Sequence, residues 1–172
     1  MKNILSSLPV FACFCMSLVS CNNNNEANPA TQVTIDSLNM QIKSLKDSLN
    51  QNASNKKMVA DFYQSLFGDK NQASIDQYIG DTYIQHNPSL PDGKDALKKA
   101  VAIGFKGQPK DTVDVKHLGA DGNFVYIHTK SKMGSKTYSI LDIFRVENGK
   151  ITEHWDVMQE VPAKSANTHP MF

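Results

Sequence analysis

The sequence predicts a small α+β domain, with three helices followed by an antiparallel sheet, and two observations carry that expectation. Apolar residues recur at helical spacing as far as Phe105, and from Thr112 onward the period changes to two. Turn signals then cut the second half into strand-length pieces. At 172 residues the chain holds a single domain at most.

The first helix starts near Asn55. Met58, Val59, Phe62, Tyr63, Leu66 and Phe67 share one helical face, and Gly68 stops it. A short second helix, Ala73 to Tyr78, turns Ile75, Tyr78 and Ile79 inward. Pro88 forces Asn87 out of the helical region, so Tyr83 to Pro88 cannot continue a helix. Pro91-Asp92-Gly93 is a turn. Asp95 to Phe105 forms the third helix and buries Ala96, Leu97, Ala100, Val101 and Phe105. Strands are expected at Thr112–Leu118, Asn123–Lys130, Lys136–Val146 and Ile151–Glu160. Gly119 to Gly122, Met133-Gly134-Ser135 and Glu147-Asn148-Gly149 separate them. Helices on one face of a curved sheet follow from that order.

Upstream of the domain the chain changes character. Lys2 and the apolar run Ile4 to Val19 read as a signal peptide over residues 1–20, too short to span a bilayer comfortably. Leu18-Val19-Ser20-Cys21 resembles the bacterial lipobox, which implies lipidation of Cys21 and an extracytoplasmic protein anchored in the cell envelope. Asn22 beside that Cys implies outer-membrane sorting in a cell that has one. Residues 21–32 then form a polar tether. Over residues 33–54 Ile35, Leu38, Ile42, Leu45 and Leu49 trace a heptad seam of about two and a half repeats, either a short coiled coil or a helical spacer. With Cys13 and Cys15 removed and Cys21 lipidated, residues 55–172 carry no thiol, which excludes disulfides, thiolate catalysis and Cys-zinc sites there. Eighteen basic against seventeen acidic residues, with no basic run among aromatics, argue against a nucleic-acid ligand.

The last hairpin decides where chemistry can occur. A two-residue Asn148-Gly149 turn pairs Glu147 with Lys150 and sends Asp156 to the face opposite Asp142. A three-residue loop with a bulge at Gly149 pairs Val146 with Lys150 and puts Asp142 opposite His154, with Asp156 on the same face. The bulged register sorts residues better. Tyr138, Ile140, Asp142, Phe144, His154, Asp156 and Met158 then share one face, and Leu141, Ile143, Trp155 and Val157 the other, with Arg145 and Glu153. The first face is expected to line a cavity under the helices, and the Trp155 face to pair two copies in a homodimer. Tyr126 and His128, on the preceding strand, are expected to join the cavity.

Two carboxylates and an imidazole in an apolar chamber are the apparatus of proton transfer. Hydrogen bonds to the backbone would equally account for a lone strand Asp. Metal binding by His86, His128, Asp142 and Asp156 has no compact ligand spacing behind it, so no metal is expected.

Several blocks resemble the SnoaL-like polyketide cyclases of the NTF2-like superfamily: Asn55-Lys56-Lys57 to Phe62-Tyr63, Tyr83-Ile84-Gln85-His86-Asn87-Pro88 with Asp92-Gly93, Asp142 to Ile151, and Glu153-His154-Trp155-Asp156-Val157. The closing Val161 to Asn167 and Met171-Phe172 is similar to a bacterial subgroup described as aldol-condensation enzymes. The resemblance covers about residues 55–172. It implies a cone-shaped α+β barrel, commonly dimeric through its sheet, and acid/base chemistry without metal or cofactor. It places the general acid/base at Asp156. The position of the cyclases' assisting His holds Asp142 instead, which leaves His128 or His86 to substitute. His86, Asn87, Tyr126, Phe144, His154 and Tyr138 complete the expected ligand-binding set. Three readings stay open: an enzyme acting on a small carbonyl compound, a small-molecule binder using the same pocket, and a scaffold.

Overall fold

The computed structural model describes residues 28–172, so the expected signal peptide, Cys21 and most of the tether lie outside the described residues. The chain divides at Leu38/Asn39 into two compact units. The second, Asn39–Phe172, holds all the described strands, and one helix passes through the division.

That helix, α1 (Pro29–Tyr63), is continuous, so the expected stalk and the first domain helix are successive stretches of one element. Ile35, Leu38, Ile42, Leu45 and Leu49 are exposed along it. Burial begins at Asn55, whose side-chain amide donates to the Gly122 carbonyl at 3.0 Å. Val59, Phe62 and Tyr63 follow at helical spacing and are buried. None of the described helices is long and apolar enough to cross a membrane.

After Tyr63 the helix widens into a π-turn, Gln64–Gly68. Such turns carry an extra residue per hydrogen-bonded ring and re-aim the side chains around them. Here the Gln64 side chain swings onto the loop before the sheet. Its Nε2 donates to the Asp111 carbonyl at 3.1 Å, and its Oε1 accepts from the Val113 N–H at 3.0 Å. The Asp111 N–H donates to the Gly68 carbonyl at 3.0 Å. A Cβ on Gly68 would stand 2.7 Å from the Asp111 oxygen, so only glycine lets the loop approach this closely.

The sheet has five strands rather than the four expected: β1 (Ile79–Gln85), β2 (Asp114–Asp121), β3 (Phe124–Met133), β4 (Lys136–Glu147) and β5 (Lys150–Glu160), in the order β1-β5-β4-β3-β2. The extra strand takes Ile79 out of α2 (Ser74–Tyr78) and pairs in parallel with β5 through an interrupted register. α3 (Lys94–Gly104) turns Leu97 and Val101 into the core. Phe62, Leu66, Ile75, Ile79, Ile127 and Ile151, all 2 % exposed or less, form its centre.

The β4–β5 hairpin corrects the expected turn yet keeps its consequence. Glu147 pairs with Lys150 around a two-residue turn, with Asn148 at φ 50° and Gly149 at φ 70°. Both positive angles are those of a type I′ turn. The register then shifts, because Val146 pairs with Ile151 but Arg145 with Glu153, leaving Thr152 as a bulge. That one extra residue restores the parity a plain two-residue turn would have lost. Asp142 therefore stands directly opposite Asp156 on the same face, with His154 diagonal to it.

Candidate active site

The inward face of the sheet and the helices enclose a cavity of about 870 Å³, within the range of small-molecule sites. Phe62, Phe67, Leu97, Val101, Phe105 and Phe144 make most of it apolar. Gln85, Asn87, Asp142, His154 and Asp156, from β1, the turn after it, β4 and β5, bring a group of polar side chains to one part of the lining, and further polar residues line it from β3 and from the loop before the sheet.

Asp142 is 4 % exposed and both its oxygens are held. The Tyr63 hydroxyl donates to Oδ2 at 2.9 Å, and His154 Nε2 lies 2.9 Å from Oδ1. On its other side His154 Nδ1 is 2.9 Å from Gln85 Oε1. The orientation of the Gln85 amide is not arbitrary: the Asn87 N–H donates to the same Oε1 at 2.9 Å, so that atom is the oxygen. Nδ1 therefore carries a proton and donates it. One further proton then lies between Nε2 and Asp142, making an imidazolium–carboxylate pair or a neutral pair of the same total charge. Asp156 is held separately, accepting from Asn87 Nδ2 at 2.9 Å and 2.8 Å through its two oxygens.

Electrostatics keep the phenols protonated. Burial, then the Asp142 carboxylate, raises the Tyr63 hydroxyl well above the ordinary phenol range. Burial, then Asp142 and Asp156, does the same for Tyr83.

Several expected residues meet in this cavity: Asp142, Asp156, His154, Asn87 and Phe144 all line it. His128 does not, and its expected place is corrected. Ile127 pairs with Asp142 and is fully buried, so its neighbours Tyr126 and His128 point to the outer face. There His128 contacts Ser139 Oγ at 2.7 Å and stacks on His117, with Nδ1 to Nδ1 at 2.9 Å. Desolvation, then His117, lowers its pKa. His86 is also outside. Its ring stacks on Trp155 at 4.2 Å and its Nε2 reaches Glu153 at 3.0 Å. The His86 contact and then Arg145, whose Nε donates to Glu153 at 2.5 Å, hold that carboxyl below its ordinary pKa. Tyr138 has the inward parity but does not line the cavity. Tyr63 and Gln85 were not expected in the site. The signal for Tyr63 was a hydroxyl on an otherwise apolar helical face, and for Gln85 its place two residues before Asn87 on an extended segment.

Asp142, His154 and Asp156 each bring one metal-ligating atom within 4.8 Å of the others, and such a set can hold a divalent cation. Each of those groups also has a hydrogen-bond partner in the protein.

A helix-roofed sheet with an acidic pocket between them defines the class. Within that class, the SnoaL-like polyketide cyclase family model matches residues 57–166, and the chain belongs to this family. The NTF2-like fold is shared with solved structures. One is an NTF-2 like protein of unknown function from Burkholderia xenovorans, 13% identical, TM-score 0.55, covering 66% of this chain and 89% of that one. A protein from Kribbella flavida provisionally assigned as a ketosteroid isomerase is 13% identical, TM-score 0.55, with 68% and 86% covered. An LEH-like epoxide hydrolase from M. tuberculosis is 17% identical, TM-score 0.52, with 63% and 85% covered. These likenesses reach the fold and stop there. No functionally curated protein matches the chain.

Proposed function

We propose that the cavity is the active site of an acid/base enzyme of aldol-condensation, cyclase or isomerase type, working on a small carbonyl compound without a cofactor. The observation that carries this reading is the 2.9 Å contact between His154 Nε2 and Asp142 Oδ1, standing across from a second carboxylate on the same inward face. Asp156 takes a proton from the carbon next to the carbonyl. The C–H electron pair moves into the enolate, and the developing oxygen anion receives the proton held by the His154–Asp142 pair. His154 thus takes the role that the resemblance left to His128 or His86. Return of the Asp156 proton to carbon at a new position, with the enol proton handed back to the His154–Asp142 pair, completes isomerisation; attack of the enol carbon on a second carbonyl, with the enol proton returning to the pair and the Asp156 proton passing to the new alkoxide, completes condensation.

The apolar walls favour a second reading, a non-catalytic receptor for the same molecules. Deuterium uptake from D₂O by benzoylacetone separates the two. The enzyme reading expects exchange above the buffer rate, lowered at least ~100-fold in Asp156→Asn with binding retained. Exchange no faster than buffer removes the enzyme and leaves the receptor.

The setting we propose is a protein lipidated at Cys21 and held in the cell envelope outside the cytoplasm, in the outer membrane where the cell has one. Its outer sheet face, with Tyr126 at 36% and Val157 at 64% exposure, pairs two copies. Val157→Glu should then give monomers by analytical ultracentrifugation, and an unchanged mass would reject the interface.

A further inference from the structure

The polar groups around Asp142 are largely spent on one another, and beside them the Tyr83 hydroxyl is satisfied only as an acceptor. Tyr83 is 4% exposed, lies on β1, and lines the cavity. Its oxygen accepts from Gln85 Nε2 at 3.3 Å. For its own proton the described residues offer no acceptor, whereas the Tyr63 proton goes to Asp142. A buried O–H with nothing to donate to costs free energy until a guest supplies an acceptor. The donor is also permanent, because burial and the two carboxylates keep this phenol protonated. Gln85 ties the arrangement together: its oxygen fixes His154 and its nitrogen fixes the Tyr83 hydroxyl.

We propose that the Tyr83 hydroxyl docks the oxygen of the guest, so that the chamber selects molecules bearing a carbonyl over hydrocarbons of the same shape. The inference rests on the acid/base reading only in taking that oxygen to be a carbonyl's. A carbonyl held by Tyr83 carries its developing anion against a neutral donor rather than against Asp156. Oxygen held at one point and carbon presented to Asp156 also restricts which C–H is exposed to the base.

The test compares 2-acetylnaphthalene with 2-isopropenylnaphthalene, in which C=CH₂ replaces C=O with little change of shape. Titration of the full chain in detergent, followed by naphthalene fluorescence, should show the ketone bound about tenfold more tightly. In Tyr83→Phe the two affinities should converge, with that of the hydrocarbon unchanged. Infrared difference spectra should place the bound carbonyl stretch below its position in alkane solvent, a reading that needs no variant to fold. A ketone that does not bind, a preference that survives Tyr83→Phe, or a stretch at its alkane-solvent position overturns the proposal. Asp156→Asn should keep the preference. A chain that discriminates through Tyr83 but exchanges no C–H would retain this assignment and lose the acid/base one.

Discussion

Replacing Tyr63 by Phe removes one oxygen and leaves the ring packing of Phe67 and Phe144 around it in place. What is lost is the 2.9 Å bond to Asp142 Oδ2, a neutral donor on an acceptor that is 4% exposed. Hydrogen bonds to charged groups contribute roughly 1.5–3 kcal/mol, and the slightly more apolar Phe recovers a fraction. A loss of about 2 kcal/mol is expected, or roughly 4–8 °C in Tm for a chain of this length. Urea denaturation of the native chain, Tyr63→Phe, Asp142→Ala and the double variant gives the coupling directly. It should be about 1.5 kcal/mol, because each single change removes the same bond. A coupling under about 0.5 kcal/mol would refute the reasoning, since it would mean that Asp142 finds another donor as easily.

Alkaline pH provides a second check. The folded-state pKa values of Tyr63 and Tyr83 are raised above the ordinary 10.0, so their contribution is intact below that value. As pH climbs above it, the unfolded chain releases protons that the folded chain keeps, and stability falls by up to ~1.4 kcal/mol per unit for each. Denaturation curves between pH 9 and 11 should lose part of that slope in Tyr63→Phe. Gly68→Ala should destabilise by about 1–3 kcal/mol, because its Cβ meets the Asp111 carbonyl, and should speed hydrogen exchange at the Asp111 and Val113 amides. Gly149→Ala, forced to φ 70° in the hairpin turn, should cost about 1–2 kcal/mol by thermal melting.

Much of this fold could be read from periodicity, and the failures have specific causes. α3, β3, β4 and β5 stood out because each carries its apolar pattern over eight residues or more, whereas β2, with little burial along it, was expected two residues early at Thr112–Leu118. β1 did not stand out. It is seven residues with an irregular burial pattern, it runs straight on from α2, and its parallel pairing with β5 is interrupted. His128 was misplaced because both faces of β3 are apolar: Phe124 and Tyr126 alternate with Val125 and Ile127, and alternation alone cannot choose the inner set. The pairing of Ile127 with Asp142 makes that choice, and pairing is a tertiary fact. The inward placing of Asp142, His154 and Asp156 came out correctly despite a wrong turn. Two offsets of a single residue, at the turn and at Thr152, cancel in parity. Tyr63 read as core because its hydroxyl partner lies 79 residues further along the chain.

The π-turn after α1 joins two tasks at adjacent positions. Tyr63 secures the floor through Asp142, and Gln64, one peptide later, fastens the loop whose residues Asp111 to Val113 border the chamber. The threshold and the hearth thus hang on a single hinge pin. A substitution that shifts the backbone of this turn therefore disturbs the bond to Asp142 and the anchoring of the loop together.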